Sequence, residues 1–314
     1  MRLRVGISAC LLGQEVRYDG GHKRDPFLVD TLGQFVEWVP VCPEVELGLG
    51  IPRESVRLEG APDAPRLVAM KTRVDHTTAM ARFARARVDA LAEQELVGYV
   101  LKKDSPSCGM ERVRVYGDGG PPARTGTGAF ARVLMTRLPL LPVEEEGRLH
   151  DPRLRENFVE RLFAYARWRA FVSGKPTRGG LVAFHTAHKL ALLAHDPAAY
   201  RRLGALVARA KGRPLRDVLA DYGAGFMTAL RTLATPARHA NVLEHMLGYC
   251  SDALDASARR EVVDVIADHR RGLVPLVVPL TLLKHHVRRL GIDYLSGQTY
   301  LDPHPKELML RNHV

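Results

Sequence analysis

The sequence predicts an α/β, Rossmann-like N-terminal domain with a mainly parallel sheet, followed by an all-α C-terminal domain. Three observations carry this. Apolar runs at Leu3 to Ile7, Phe35 to Val41 and Val97 to Leu101 alternate with helical patterns, and strand-helix-strand order favours a parallel sheet. Downstream almost every apolar residue recurs at helical spacing, as Phe158, Leu162 and Tyr165 do. Between the two patterns, Pro139-Leu140-Leu141-Pro142 and Glu144-Glu145-Glu146-Gly147 read as a connector, which sets the domains at 1–147 and 148–314.

Each apolar run of the first half gives way to a polar turn: Ser8-Ala9-Cys10, Cys42-Pro43-Glu44 and Ser105-Pro106-Ser107-Cys108-Gly109. His76 to Leu91 is a predicted helix, with Thr77 or Thr78 as its cap and Met80, Phe83, Ala84, Val88 and Leu91 along one face. A second spans Thr125 to Leu138, opened by the Gly- and Pro-rich turn Gly117 to Pro122. Its leading Gly126-Thr127-Gly128 offers backbone N–H groups for a phosphate, a weak signal without a full dinucleotide fingerprint. Asp151-Pro152 opens the helical half by putting a capping carboxylate before an N1 proline. Ala199 to Lys211, Ala240 to Cys250, Ala256 to Arg271 and Leu276 to Leu290 continue it, with breaks at Gly212-Arg213-Pro214 and Thr235-Pro236. The segment after Gly291 is polar and is expected to lie extended over the surface.

With 314 residues, 46% of them hydrophobic, the chain can build two real cores. It lacks an apolar run long enough to span a bilayer, and Met1-Arg2-Leu3-Arg4-Val5 enters a strand instead of a secretory h-region. A soluble, cytoplasmic protein without a membrane partner is therefore expected. Four cysteines in a chain of this length do not make a disulfide framework, which agrees with a reducing compartment. Charge is unevenly divided. Residues 1–147 hold 20 Lys+Arg and 20 Asp+Glu, whereas residues 148–314 hold 26 and 15. A neutral domain joined to a basic one suggests that the basic half holds a polyanion, against the competing reading of a generic basic surface. Lys189, Arg201, Arg202, Arg209, Lys211 and Arg213 form the densest basic stretch and suit phosphate contact.

Cys10, Cys42 and Cys108 each stand where a strand-like run ends. In an open parallel sheet the carboxyl ends of the strands border the ligand crevice, so three distant thiols converge there. The convergence points to a metal site, the alternative being buried thiols that only pack. A structural zinc closes its shell with four Cys or His ligands, often in paired spacings. No such pair accompanies these cysteines, and the first half holds only His22 and His76. Three cysteines on a four-iron cluster would leave one iron open.

Ser8-Ala9-Cys10-Leu11-Leu12-Gly13, Val16-Arg17-Tyr18-Asp19-Gly20-Gly21-His22-Lys23, Cys42-Pro43-Glu44 and Ser105-Pro106-Ser107-Cys108-Gly109 together resemble the signature of the thiouracil desulfidase family. Phe184-His185-Thr186-Ala187-His188-Lys189 and the rest of the second half resemble the helical domain fused to that enzyme in RudS-type tRNA 4-thiouridine desulfidases. The resemblance implies a [4Fe-4S] cluster bound by Cys10, Cys42 and Cys108, with an open iron for the sulfur of a thiocarbonyl. It also implies Glu44 and Ser105 as the proton-transfer pair, with Ser107 as a further hydroxyl candidate.

The expected function is thus conversion of 4-thiouridine in tRNA to uridine with release of hydrosulfide, with Lys189, Arg201, Arg202 and Lys211 as tRNA contacts. Two alternatives stay open: a desulfidase of free thiouracil or thionucleosides, and a cluster-bearing RNA-binding or redox-sensing protein without turnover. The sequence leaves the oligomeric state undetermined.

Overall fold

The computed structural model describes residues 3–117 and 119–314. The chain divides into two compact units, Met1–His150 and Asp151–Val314.

In chain order, the first unit contains β1 (Leu3–Ser8), β2 (Val36–Val41), α1 (Pro43–Glu46), β3 (Val56–Glu59), β4 (Arg66–Ala69), α2 (Thr77–Glu93), β5 (Gly98–Leu101), β6 (Val113–Tyr116), β7 (Ala123–Gly126), α3 (Ala129–Arg137) and β8 (Val143–Glu145). One sheet has the order β2-β1-β5-β8 and is parallel throughout, with Leu3 opposite Val36, Val5 opposite Gly98 and Tyr99 opposite Val143. The chain leaves β1 to one side for β2 and later adds β5 on the other. In open α/β sheets such a reversal of strand order places the ligand crevice beyond the carboxyl ends of the central strands. Val5 to Ser8 of β1 and all of β5 are buried, as in parallel sheets covered on two faces. A Cβ on Gly6 would come within 2.2 Å of the Tyr99 ring, so only glycine admits that tyrosine beside β1. Met80, Ala84, Val88 and Leu91 of α2 and Phe130, Ala131 and Leu134 of α3 are buried, with Phe130 tilted 6.0 Å from Tyr99.

Four sequence expectations change here. Glu144 to Glu146 is no exposed connector. Glu144 and Glu145 end β8 on the flank of β5, all three glutamates are buried, and Arg148, Met110 N–H and Lys102 respectively serve as their partners. The helix expected from Thr125 starts at Ala129, because Ala123–Gly126 pairs with β6 instead. Neither Thr77 nor Thr78 caps α2; Asp75 Oδ1 accepts from Thr77 N, while Thr77 Oγ1 accepts from Leu67 N. A second sheet, β4-β3-β6-β7, mixes antiparallel and parallel pairs and was not anticipated.

The second unit is helical: α4 (Pro152–Ser173), α5 (Arg178–His195), α6 (Pro197–Ala208), α7 (Leu215–Leu230), α8 (Pro236–Cys250), α9 (Ala256–Arg270), α10 (Val277–Leu290) and α11 (Asp293–Ser296). Asp151, Asp196 and Thr235 each accept backbone N–H bonds at a helix start whose first position is proline. Trp168, Phe184, Tyr222 and Phe226 pack as an aromatic core. Around α8, a second cluster includes Leu190, Leu243, Met246, Cys250, Ile266 and Leu283. The segment after Gly291 departs from the extended surface path. Tyr300, Leu301, Leu308, Leu310 and Arg311 are buried, and Arg311 Nε donates to Glu156 Oε1 of α4 at 3.1 Å.

Candidate functional site

The order β2-β1-β5 sets three strand ends side by side, and a cysteine follows each. Cys10 lies in the 3-10 turn Ala9–Leu12, which Gly13 closes at φ 91° by donating its N–H to Cys10 O at 3.3 Å. That backbone angle favours glycine. Cys42 caps α1, with Pro43 at its first position, and its N–H donates to Glu46 Oε1 at 3.1 Å. Cys108 sits in a turn organised by Ser105, whose Oγ accepts from Ser107 N at 3.3 Å and Cys108 N at 3.0 Å.

All three cysteines line one cavity of about 130 Å3, together with Ser8, Glu44, Arg53, Lys102 and Ser105. Burial pushes the Cys10 thiol up to about 11, opposed first by the Lys102 ammonium. Burial also raises Cys42 and raises Cys108 further, with a Ser8 hydrogen bond opposing it at Cys108. Such thiols stay protonated until a metal takes the place of the proton. Among the described residues no three His, Cys, Asp or Glu side chains close around a single ion. A mononuclear zinc would need its donors at about 2.0–2.3 Å. Three soft sulfur donors spread around a cavity fit a polynuclear iron-sulfur group better than a lone ion.

Glu44 is held from both sides. Arg53 donates from Nε and Nη2 to Oε2 at 2.9 and 2.7 Å, and Ser107 Oγ donates to Oε1 at 2.9 Å. Arg53 also ties down Val16 O at 3.1 Å and Gly50 O at 2.9 Å, so one guanidinium fixes the carboxylate and two loops. Ser107 is therefore the serine that meets Glu44. Ser105 faces the same cavity with its two acceptor sites occupied by backbone N–H groups, which leaves its hydroxyl hydrogen to donate elsewhere. Lys102, at the end of β5, gives two hydrogen bonds to Glu146 and Lys103 O.

Arg53 and Lys102 were missed in the sequence, because a single cation in a loop has no spacing to mark it. Of the segment Val16 to Lys23, Val16, Arg17 and Tyr18 border the cavity, and the Arg17 guanidinium lies 5.4 Å from the Tyr18 ring centre. The N-terminus of α3 is not open to a phosphate. Gly128 N–H donates to Gly109 O, Ala129 N–H to Pro106 O and Phe130 N–H to Ser107 O at 2.8, 2.9 and 2.9 Å, so the Cys108 turn itself stoppers the helix.

In the helical unit, Lys189 is half-buried on α5, Arg201 and Arg202 are exposed on α6, and Lys211 is exposed in the turn after it. Arg202 approaches Asp196 at 4.0 Å, and Arg213 pairs with Asp221 at 2.7 Å. His185 and His188 are core residues, bonded at Nδ1 to Tyr222 Oη and Phe184 O. No helix among the described residues is long and apolar enough to cross a membrane.

Residues 5–146 match the 2-thiouracil desulfurase family, and residues 189–305 match a family described as a protein of unknown function, DUF1722. The chain is similar to the uncharacterized protein YbgA of Escherichia coli strain K12, with 33% identity over 161 residues, 51% of this chain and 95% of that protein. It is also similar to a solved [4Fe-4S]-dependent thiouracil desulfidase, TudS, at 31% identity over 48% of this chain and 94% of that one, with a TM-score of 0.41. The chain thus belongs to the YbgA-like family, and its residues 5–146 carry the match to the 2-thiouracil desulfurase family.

Proposed function

We propose that this protein is a desulfidase that converts 4-thiouridine in tRNA to uridine, with a [4Fe-4S] cluster held by Cys10, Cys42 and Cys108. The observation that carries the reading is the meeting of three thiols, from three neighbouring strand ends, with a rigidly held carboxylate in one cavity. When bound there, such a cluster supplies a soft Lewis acid with one iron free of protein, which polarises a thiocarbonyl and eases loss of its sulfur. Glu44, oriented by Arg53 and Ser107, takes the proton of the attacking water. Ser105 donates its hydroxyl hydrogen toward the reacting base. The balance is a thiocarbonyl plus water giving a carbonyl plus hydrogen sulfide, with no net redox change.

The excess of 26 Lys+Arg over 15 Asp+Glu after residue 147 supports a polyanionic substrate, with Lys189, Arg201, Arg202 and Lys211 contacting phosphates. A tRNA substrate places the enzyme in the cytoplasm, and the target base must leave its stack to reach an enclosed site. A second reading, turnover of free thiopyrimidines, is favoured by the 2-thiouracil desulfurase match.

Anaerobically purified protein is expected to carry about four iron and four sulfide per chain. It is expected to release hydrosulfide from thiolated tRNA faster than from free 4-thiouracil at equal concentration. Cys10→Ala, Cys42→Ala and Cys108→Ala remove iron and activity, whereas Cys250→Ala spares both. Zinc without acid-labile sulfide refutes the cluster, and turnover of the free base alone moves the assignment to the second reading.

A further inference from the structure

Lys102 stands one residue past β5, between the ends of β1 and β8, and has a partner on each side. Toward β1, its backbone N–H donates to Ser8 Oγ at 3.0 Å. Toward β8, the register that sets Leu101 opposite Glu145 carries Lys102 to Glu146, whose Oε1 accepts from the ammonium while Oε2 accepts from Lys103 N–H at 2.7 Å. The ion pair is nearly closed to water, with the Lys102 side chain 13% exposed and that of Glu146 9%. The ammonium also reaches Lys103 O at 3.1 Å, so an ordinarily flexible cation is pinned in place.

Lys102 and Ser8 line the same cavity as Cys10, Cys42 and Cys108. Ser8 is buried, its oxygen accepts the Lys102 N–H, and its own hydrogen goes to the Cys108 sulfur, a bond that favours the thiolate. The Lys102 ammonium favours the Cys10 thiolate. Among the charges facing that sulfur it acts more strongly than Arg17, which adds to it, or Cys42 and Glu146, which oppose it. One residue thus serves two sulfurs, Cys108 through its backbone and Ser8, and Cys10 through its side chain.

We propose that Lys102 and Ser8 act through the Cys10 and Cys108 sulfurs to balance the charge of the cluster and set its reduction potential, with Glu146 holding the ammonium in place. The inference rests on the reading that Cys10, Cys42 and Cys108 hold the cluster. Three thiolates outweigh the charge of an ordinary four-iron core, so a loaded site is anionic, and a buried charge calls for a counter-charge. The potential of such a group follows its net charge and the hydrogen bonds to its sulfurs. An added electron is easier to accept beside a cation and a sulfur-directed hydroxyl, and harder beside a carboxylate. In a reaction that delivers sulfur to this site, the same ammonium offsets the negative charge that the sulfur brings. An ion pair that only closed the edge between β5 and β8 would hold the sheet and leave the potential alone.

Anaerobic redox titration of the iron-replete full chain, followed by electron paramagnetic resonance, tests this. Lys102→Met and Ser8→Ala are each expected to disfavour the reduced cluster at least ~10-fold, about 59 mV downward for one electron. Lys102→Arg, which keeps the charge, stays nearer the wild-type value than Lys102→Met does. Glu146→Gln keeps an amide oxygen for its partners but removes the negative charge, and it shifts the potential upward. If Lys102→Met fails to hold iron, the opposite shifts of Ser8→Ala and Glu146→Gln carry the test. Loaded variants with the wild-type potential overturn the proposal and leave Lys102 and Glu146 as a strut of the sheet. Shifts of one sign in Lys102→Met and Glu146→Gln also overturn it, since a loosened site and not charge would then be the cause. Wild-type protein without iron and sulfide refutes the three-cysteine reading and this inference with it, whereas a loaded cluster indifferent to all the variants refutes this inference alone.

Discussion

Glu44 has both carboxylate oxygens engaged, and its side chain is 13% exposed against 6% for its Arg53 partner. A carboxylate fixed in this way loses little freedom when it takes a proton from water. If Glu44 and Ser105 move protons and do not support the metal group, Glu44→Gln and Ser105→Ala keep the iron spectrum and slow turnover at least ~100-fold. Single-turnover rates on iron-replete protein check this, and wild-type rates in both variants would exclude the pair. The convergence of the three cysteines and Glu44 on one cavity was legible because they stand in short motifs at strand ends. Arg53 and Ser107 lie 9 and 63 residues from Glu44. A partnership at those separations exists only once the sheet has formed, so no local pattern records it.

Helix α3 and the Cys108 turn behave as one element, since three carbonyls of the turn accept the first amides of the helix. A Cβ at Gly128 would fall 2.6 Å from Ser107 C and O and 2.8 Å from Cys108 N, all backbone atoms that cannot swing aside. Gly128→Ala should therefore displace the turn, lower iron content and destabilise the first unit by about 1–3 kcal/mol, read by iron analysis and thermal unfolding. Sequence pattern misread this region because Gly126 ends a strand whose preceding residues are exposed, which removes the alternation that marks strands. The three glutamates after Pro142 misled for the opposite reason: they are buried, but their partners come from other segments.

Helix α5 carries a pH signature of its own. Burial pushes His185 and His188 down to about 4, the Lys189 charge adding to the effect at His185. The unfolded chain protonates them near pH 6.5, so their contribution is intact above that value and is lost as pH falls toward 4. At most this costs about 1.4 kcal/mol per pH unit for each histidine. His195 runs the other way, because Glu160 outweighs burial and raises it. Denaturant unfolding of the helical unit from pH 7 to 4.5 should show falling stability, and His188→Phe should flatten the slope.

At the scale of the molecule, charge is segregated by residue 147, and the desulfidase reading uses that asymmetry for substrate capture. Affinity for tRNA should drop steeply with salt as phosphates regain their counterions. Reversing Lys189, Arg201, Arg202 and Lys211 together should weaken tRNA turnover through KM and leave turnover of a free thiopyrimidine within about twofold. Equal losses on both substrates would mean a structural role for these residues. The division into a sheet half and a helical half was readable from periodicity, whereas the pairing of Lys102 with Glu146 was not, since the two stand 44 residues apart and meet only once β8 has joined β5. The meeting of Cys10, Cys42 and Cys108 at separate strand ends also has a consequence for biogenesis. At about 5–20 residues per second, a ribosome needs roughly 6–24 s between adding Cys10 and adding the α3 residues that seat the Cys108 turn. Throughout that interval the nascent chain carries unpaired thiols and no complete pocket, so a cofactor held by all three cysteines can load only after α3 has been added, while the helical unit is still to be made.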